Sequence, residues 1–322
     1  MASPNLGEII TTTLRNRTGK AADSVSKNNA LLNRLLEKGR VDTADGGRTI
    51  VQEIEYQENG TFKRYAGYDL LNIAPSDVLT AAEFDWKQAV AAISISGLEQ
   101  MQNSGKEVMI KLLAARIKNA QKTLRNNIAL DCYSDGTADG GKQIGGLAAA
   151  VPTTNNTGTY GGIPRASWPF WQNQAYNGLT NGGVATSATN VQSYMNQLWY
   201  KTTRGADHPD LLVADNTMYG YYHSSLQSIQ RITSDKMAQA GFTSLKYMNA
   251  DVVLDGGFGG GAPASTMYFL NTDYIYLRPH SQRNFVEIGG ERVNPNQDAL
   301  VKLLGWMGNM TASNMFLQGV LT

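Results

Sequence analysis

The sequence predicts an α+β fold, in which a long helix packs on strands and a small α/β unit is inserted between two strand-rich regions. Three observations lead to this prediction. A helix with one apolar face is expected from about 104 to 130, strand-like runs lie at 48–96 and again at 264–322, and helices alternate with buried strands at about 189–254. The 322 residues are enough for one large core or two modest ones.

Residues 1–47 are expected to form an N-terminal arm. Residues 1–23 are polar and rich in Thr and Arg, and the apolar stripe that follows stops at Gly39, a residue type that commonly ends helices. The arm is therefore predicted to be extended and to finish in one short helix. The stripe consists of Ala30, Leu31, Leu32, Leu35 and Leu36.

A charged hairpin is predicted within residues 48–75. Two β-favouring runs, 48–56 and 61–68, flank an Asn-Gly pair, which is among the strongest short hairpin signals. The two runs have too little apolar surface to form a core alone, so we expect the hairpin to project and to pack against another body. Its charged positions are Glu53, Glu55, Lys63 and Arg64.

A strand at 81–96 is predicted to precede the long helix, and residues 76–144 are predicted to form one unit around that helix. Ser104 and Glu107 have the spacing of a capping box. Apolar residues then recur at three- and four-residue steps along roughly 35 Å of helix, and basic residues fall on nearly the opposite face. The apolar set is Met109, Leu113, Ile117, Ala120, Leu124 and Ile128, and the basic set is Lys111, Lys118, Lys122 and Arg125.

Residues 145–263 are predicted to form a loop-rich α/β unit. Aromatic residues are interspersed with Gly and Asn in its first part, and they require burial. A glycine loop at 256–261 then leads to strands within 264–322, which return to both units. The predicted elements of the α/β unit are helices near 191–199 and 216–227 and strands at 211–213 and 251–254.

The sequence lacks the residue patterns typical of catalytic, nucleotide-binding and metal-binding sites. Gly257, Gly259 and Ala262 fit G-x-G-x-x-A after a strand, but Pro263 and a further strand follow where a phosphate would need a helix N-terminus. The three histidines lack metal-ligand spacing, and no nucleophile elbow is present. We therefore expect no catalytic site, no cofactor and no metal.

The net charge and the cysteine content restrict the kinds of protein that this chain could be. A net charge of +1 argues against a surface devoted wholly to nucleic acid, and the single cysteine, Cys132, excludes an intrachain disulfide. No run approaches the ~20 apolar residues that cross a bilayer, and the first residues do not look like a signal peptide. We expect a protein of a reducing cytoplasm that does not contact membranes.

The order of these segments resembles the Hong Kong 97-like fold of tailed-phage capsid proteins over nearly the whole chain. Residues 46–71 look like its extended E-loop, and 83–137 look like the strand and spine helix of its peripheral domain. Residues 245–259 and 298–321 look like the edge of its axial domain and its final strands. The resemblance implies the following division: arm 1–47, E-loop 48–75, peripheral domain 76–144, axial domain 145–263 and returning strands 264–322.

The resemblance implies a major capsid protein that self-assembles into hexamers and pentamers of an icosahedral shell around double-stranded DNA. The E-loop would lie over a neighbouring subunit, where its four charged residues would fix the register. The basic set of the spine helix would face packaged DNA and contact phosphates without sequence preference.

Further partners are implied in the same way. They are a separate scaffolding protein, a portal and a candidate decoration protein, and the expected location is the virion, after assembly in the host cytoplasm. An encapsulin-type compartment shell is the nearest alternative. A small-molecule hydrolase built on the α/β unit is a more distant one.

Overall fold

The computed structural model describes residues 29–102, 106–226, 244–257, 260–293 and 298–322. The polar start of the arm, the predicted helix cap Ser104 and Gly259 of the glycine loop lie outside these ranges.

Helices and strands of the described residues follow the α+β order that the sequence predicts. The helices are α1 (Ala30–Glu37), α2 (Gly97–Gln102), α3 (Lys106–Asp131), α4 (Ala138–Gly141), α5 (Leu147–Ala150), α6 (Gly178–Gly182), α7 (Val191–Thr202) and α8 (Asn216–Ser225). The strands are β1 (Thr49–Glu55), β2 (Leu79–Asp85), β3 (Lys87–Ser96), β4 (Thr159–Tyr160), β5 (Ile163–Pro164), β6 (Gln174–Tyr176), β7 (Leu211–Ala214), β8 (Ser244–Tyr247), β9 (Ala250–Leu254), β10 (Met267–Leu270), β11 (Ile275–Pro279), β12 (Val286–Val293), β13 (Ala299–Ala312) and β14 (Gly319–Leu321).

The short helix of the arm forms as predicted. The Asn29 side chain caps α1 by accepting a hydrogen bond from the Leu32 N–H at 2.8 Å, and Gly39 follows the helix with a φ of +65°, a conformation that favours glycine. Most of the apolar stripe is buried, with Ala30, Leu31 and Leu35 fully inaccessible, whereas Leu36 is 46% exposed. Arg34 holds the polar face in place through carboxylates of the α/β unit, at 3.1 Å from Asp210 and 3.0 Å from Asp251.

The predicted hairpin pairing is wrong. β1 pairs with β2 in antiparallel register, whereas residues 61–68 form no strand. Ile50 and Ile54 are buried together with Ala82 and Phe84 of β2, so this pairing produces an apolar face that 61–68 could not have provided. The local Asn-Gly signal therefore yields to a non-local pairing that buries side chains. The predicted strand at 81–96 is also divided at Trp86 into β2 and β3, which belong to different sheets.

Two larger sheets organise the described residues. A six-stranded sheet has the order β6-β14-β10-β7-β9-β8, so it combines the α/β unit with two returning strands. A second sheet is centred on the long strand β13, which pairs with β3 along one edge and with β11 and β12 along the other. Returning strands therefore complete both sheets.

The long helix α3 lies against β3 and β13. Leu124 and Ile128 of α3 are buried in one apolar cluster with Leu304 and Trp306 of β13. The predicted apolar face is thus the packed face wherever the structure describes its side chains. None of the described helices is long and apolar enough to cross a membrane.

Candidate functional site

A long loop projects from the β1–β2 ribbon. Its ends are adjacent, because the Tyr56 N–H donates to the Val78 carbonyl at 3.1 Å. The intervening segment contains no helix or strand, and most of its large apolar side chains face solvent. Such a cluster of apolar side chains on a protein surface typically marks a binding site. Its exposed members are Phe62, Tyr65, Tyr68, Leu70, Leu71 and Ile73.

Aromatic contacts fix the base of this loop to the body of the protein. Tyr56 stacks on Phe170 with ring centroids 5.3 Å apart and meets Trp168 edge-on at 5.9 Å. On the neighbouring strand, the Glu83 N–H donates to the Gly161 carbonyl at 2.9 Å. A Cβ at Gly161 would lie 2.8 Å from the Phe84 ring, so this approach requires glycine. The ribbon therefore leaves the body in a defined direction.

The glycine loop has a structural role. Tyr133, just beyond α3, donates a hydrogen bond to the Asp255 carboxylate, which also accepts hydrogen bonds from the backbone of Ala30 and Gly261. Burial raises the pKa of Asp255 despite these hydrogen bonds. A Cβ on Gly261 would lie 2.1 Å from the Tyr133 ring, so close packing requires the glycine. The carboxylate thus ties together α1, the end of α3 and the glycine loop.

Residues that could support chemistry are dispersed or inert in the described structure. Burial raises the pKa of Cys132 to about 12, which keeps the thiol protonated and unreactive. His208 stacks on Trp199 and His223 stacks on Tyr219. Within the described ranges, no cluster of three or more His, Cys, Asp or Glu side chains could hold a metal ion. The projecting loop is the stronger candidate for function.

Solved structures share this architecture along nearly its entire length. A structure described as the capsid asymmetric unit of cyanophage A-1(L) matches with a TM-score of 0.63 and 18% identity, over 93% of this chain and 94% of that one. The capsid of an empty GTA particle matches with a TM-score of 0.58 and 11% identity, over 94% and 92%. The chain has the Hong Kong 97-like capsid fold. No protein-family model and no curated protein matches the sequence.

Shells of more than one kind have this capsid fold. The encapsulin of a holo-SrpI complex from Synechococcus elongatus PCC 7942 matches with a TM-score of 0.50 and 9% identity, over 100% of this chain and 95% of that one. The predicted fold is therefore confirmed. The loop at 56–78 overlaps the segment predicted as the E-loop, 48–75, and is called by that name below.

The four predicted E-loop residues are all exposed but do not face one another across a hairpin. Glu53 and Glu55 lie on the solvent side of β1, opposite residues of β2. Lys63 donates to the Leu70 carbonyl at 3.1 Å, and the Arg64 guanidinium lies over the Phe62 ring at 5.5 Å. The hairpin that would have placed these charges on two opposite edges does not form, and their contact with a neighbouring subunit stays a prediction. Sequence reasoning also missed the apolar side chains, although the run from 62 to 73 shows them plainly.

The structure describes three of the four basic side chains predicted to face DNA, and two of these three are exposed. Lys118 and Arg125 are exposed, Lys122 is half-buried and has a partner, and the Lys111 side chain lies outside the described side chains. Ala129, one turn beyond Arg125, is buried, and its carbonyl accepts a hydrogen bond from Asn29 at 2.8 Å. The start of α1 therefore covers the face of α3 at its C-terminal end.

Proposed function

We propose that this chain is the major capsid protein of a tailed bacteriophage, which self-assembles into hexamers and pentamers of an icosahedral shell enclosing double-stranded DNA. One observation carries the proposal: a capsid fold bears a projecting E-loop whose large apolar side chains are mostly exposed in the described part of the chain. In a shell, a neighbouring subunit covers them.

The free energy of burying apolar side chains favours an E-loop that packs on a neighbouring subunit. Burying one Leu, Ile or Phe side chain is worth roughly 1.5–3 kcal/mol. Several such side chains on each subunit give many weak contacts over a closed shell, and symmetry repeats them at every interface. The partner of the E-loop is therefore a second copy of this chain, and the contact is mainly apolar.

A deletion tests the proposal. Replacing residues 57–77 by a short Gly-Ser linker is sterically simple, because Tyr56 and Val78 are already hydrogen-bonded neighbours. The strands β1 and β2 must stay, since Ile50 and Ile54 belong to the core. We expect a folded subunit with the wild-type circular dichroism spectrum that forms no shells in electron microscopy. Normal shells from the deleted chain would contradict the proposed role of the E-loop.

An encapsulin-type shell is the second candidate, because an encapsulin shares the fold. The contents of the particle separate the two functions. A capsid filled in a phage infection contains double-stranded DNA, whereas a compartment shell purified from its own cell encloses a protein cargo. Nuclease treatment followed by nucleic-acid staining and mass spectrometry of the contents distinguishes them.

The remaining partners belong to the same proposal. A phage shell requires a portal at one vertex and a means of controlling curvature, so a portal and a separate scaffolding protein are proposed partners, with a decoration protein as a further candidate. The virion is the proposed location, after assembly in the host cytoplasm. The DNA contact is assigned to the basic set on the spine helix, with Lys118 and Arg125 the exposed members that the structure describes.

A further inference from the structure

An open strand edge lies beside the spine helix. Among the described residues, β3 pairs only with β13, so one of its two edges has no strand partner. Two hydrogen bonds identify the residues that face this edge: Arg116 of α3 donates to the Ser94 carbonyl, and the Ser96 N–H donates to Glu99 at 3.1 Å. Because strand residues alternate, the backbone groups of Gln88, Val90 and Ala92 face the same way.

Arg116 and Glu99 cap the edge at Ser94 and Ser96, but from Gln88 to Ala92 the β3 edge lacks the features that usually protect such edges. Proteins blunt free strand edges with charges, prolines, bulges or covering segments. In the same sheet, β12 has a register shift after Ile288 and carries charged residues, and residues near Val41 and Ala44 bridge to the outer edge of β11. Residues 88–96 of β3 contain neither a charge nor a proline, and Val90 is 60% exposed. This edge is therefore an acceptor for another strand.

A groove between this edge and α3 has room for large side chains. Two adjoining cavities, of about 890 and 640 Å³, run along β3 and share Ala91 and Thr123 in their walls. Small residues line most of the strand side, including Ala92 and Ser94. An added strand would place alternate side chains in this space.

The E-loop contains a segment that matches this acceptor. Residues 61–68 are β-favouring in sequence but form no strand within their own chain. Phe62 and Tyr65 are 77% and 66% exposed, and the Arg64 guanidinium lies over the Phe62 ring at 5.5 Å. Most of the surface of both rings is therefore available to a groove lined by small residues. The N–H groups of Thr61, Phe62 and Ala66 make local turn hydrogen bonds, which an added strand would exchange for bonds to its neighbour. Exposed rings are thus present on one side of the proposed contact, and an open edge and free volume on the other.

Charge favours the same pairing. Lys63 and Arg64 give the segment two positive charges and no negative one. At the C-terminal end of α3, Asp131 and Asp139 line the groove with Lys142, and the helix end adds roughly half a negative charge. The two carboxylates and the helix end outweigh the single charge of Lys142, so this end of the groove attracts a cationic segment.

We infer that residues 61–68 of one copy add as a strand to the open edge of β3 in a second copy. The inference rests on the proposed shell function and names the contact that covers the E-loop. Main-chain hydrogen bonds to Val90 and Ala92 would supply affinity, and the aromatic side chains would supply the fit to the groove.

Cross-linking tests the inference. A chain with Tyr65→Cys and Val90→Cys, assembled into particles and treated with a short bismaleimide, should give a ladder of multimers on a denaturing gel. Cys132 is fully buried and does not interfere. The matched control, Tyr65→Cys with Glu287→Cys on the exposed side of β12, should stay monomeric. Particles that form normally but give no ladder, or a ladder only from the control, would overturn the inference.

Two further outcomes are informative. If the unmodified chain forms no particles, the proposed function fails, and this result is distinct from particles that do not cross-link. If Thr13→Cys with Val90→Cys gives the ladder and the Tyr65 pair does not, the N-terminal segment occupies the edge and the inference is wrong.

Proline variants examine the backbone contact directly. The Val90 N–H faces outward, so Val90→Pro should leave the pairing of β3 with β13 intact, whereas Ala91→Pro should break it. Because position 90 is now changed, the second cysteine is moved to Gln88, and the test chain carries Tyr65→Cys and Gln88→Cys. Adding Val90→Pro to this chain should retain the fold and lower the cross-linked fraction at least tenfold. Val90→Lys, which keeps the N–H and adds an edge charge, should also lower it. Wild-type cross-linking in both variants would refute strand addition.

Discussion

Replacing Leu70 and Ile73 by serine removes two exposed apolar side chains from the E-loop. They are 89% and 92% exposed in the single chain, so the fold gains almost nothing from them and the thermal midpoint should stay at the wild-type value. Covering both in an interface is worth roughly 3–6 kcal/mol, from about 1.5–3 kcal/mol for each side chain. Ordering of the loop and incomplete burial reduce this to about 2–3 kcal/mol per subunit.

This loss sets the size of the expected effect. Because 1.4 kcal/mol corresponds to a tenfold change, the concentration at which shells begin to form should rise roughly 30-fold to 150-fold. Light scattering across a dilution series measures this threshold. Leu179→Ser is the matched control, since Leu179 is also 65% exposed but lies outside the E-loop. An unchanged threshold in the double variant, or an equal rise in the control, would refute the reasoning.

Three other predictions follow from the charges and the packing. Changing Lys111, Lys118, Lys122 and Arg125 to Gln should give intact shells that retain DNA less well than wild type, most markedly at low ionic strength. If the variant retains DNA as well as wild type at all salt concentrations, these residues are only solvated surface. Partial burial tends to raise the pKa of Asp273, but hydrogen bonds and charge from Arg40 and Lys38 outweigh it and lower that pKa. The resulting stabilisation is present above the ordinary carboxyl pKa and is lost as pH falls through the lowered one, so the higher thermal midpoint of wild type over Asp273→Asn should shrink below about pH 4. Gly261→Ala should cost about 1–3 kcal/mol by overpacking against Tyr133. The control Gly220→Ala lies within α8 with open space around its Cβ, so it should instead stabilise the fold by about 0.5–1 kcal/mol and raise the unfolding midpoint in denaturant.

Local signals in the sequence predicted the helices well. The stripe that becomes α1 has a capping Asn before it and a glycine after it, and both act within a few residues. The long helix α3 was recognisable because one apolar face recurs over many turns, and the end of that face at Ile128 agrees with the end of the helix at Asp131. Periodicity and capping depend on neighbours in sequence, so they can be read without the fold.

Strand pairing could not be read in this way. The Asn-Gly pair favours a hairpin between adjacent runs, but Ile50 and Ile54 gain more by lying beside Ala82 and Phe84, about thirty residues further along the chain. A local turn signal contributes little compared with the burial of two large side chains. The division at Trp86 was missed for the same reason, since which sheet a strand joins depends on distant partners.

The sequence and the structure point to the same region as the candidate site but to different side chains within it. The sequence drew attention to Glu53, Glu55, Lys63 and Arg64 because charges stand out in a β-favouring run. The structure shows large apolar side chains exposed beside them, and we expect these to contribute more to assembly than surface charges do. Exposure depends on tertiary structure, and an apolar run reads as core until its surroundings are known.

Electron microscopy of the purified, unmodified protein tests the central claim most directly. We expect closed particles with icosahedral symmetry, whose subunits are arranged in hexamers and pentamers with each E-loop lying over a neighbouring copy. A preparation that is folded by circular dichroism yet remains monomeric at every concentration and ionic strength, and with E-loops free in solution, would contradict it.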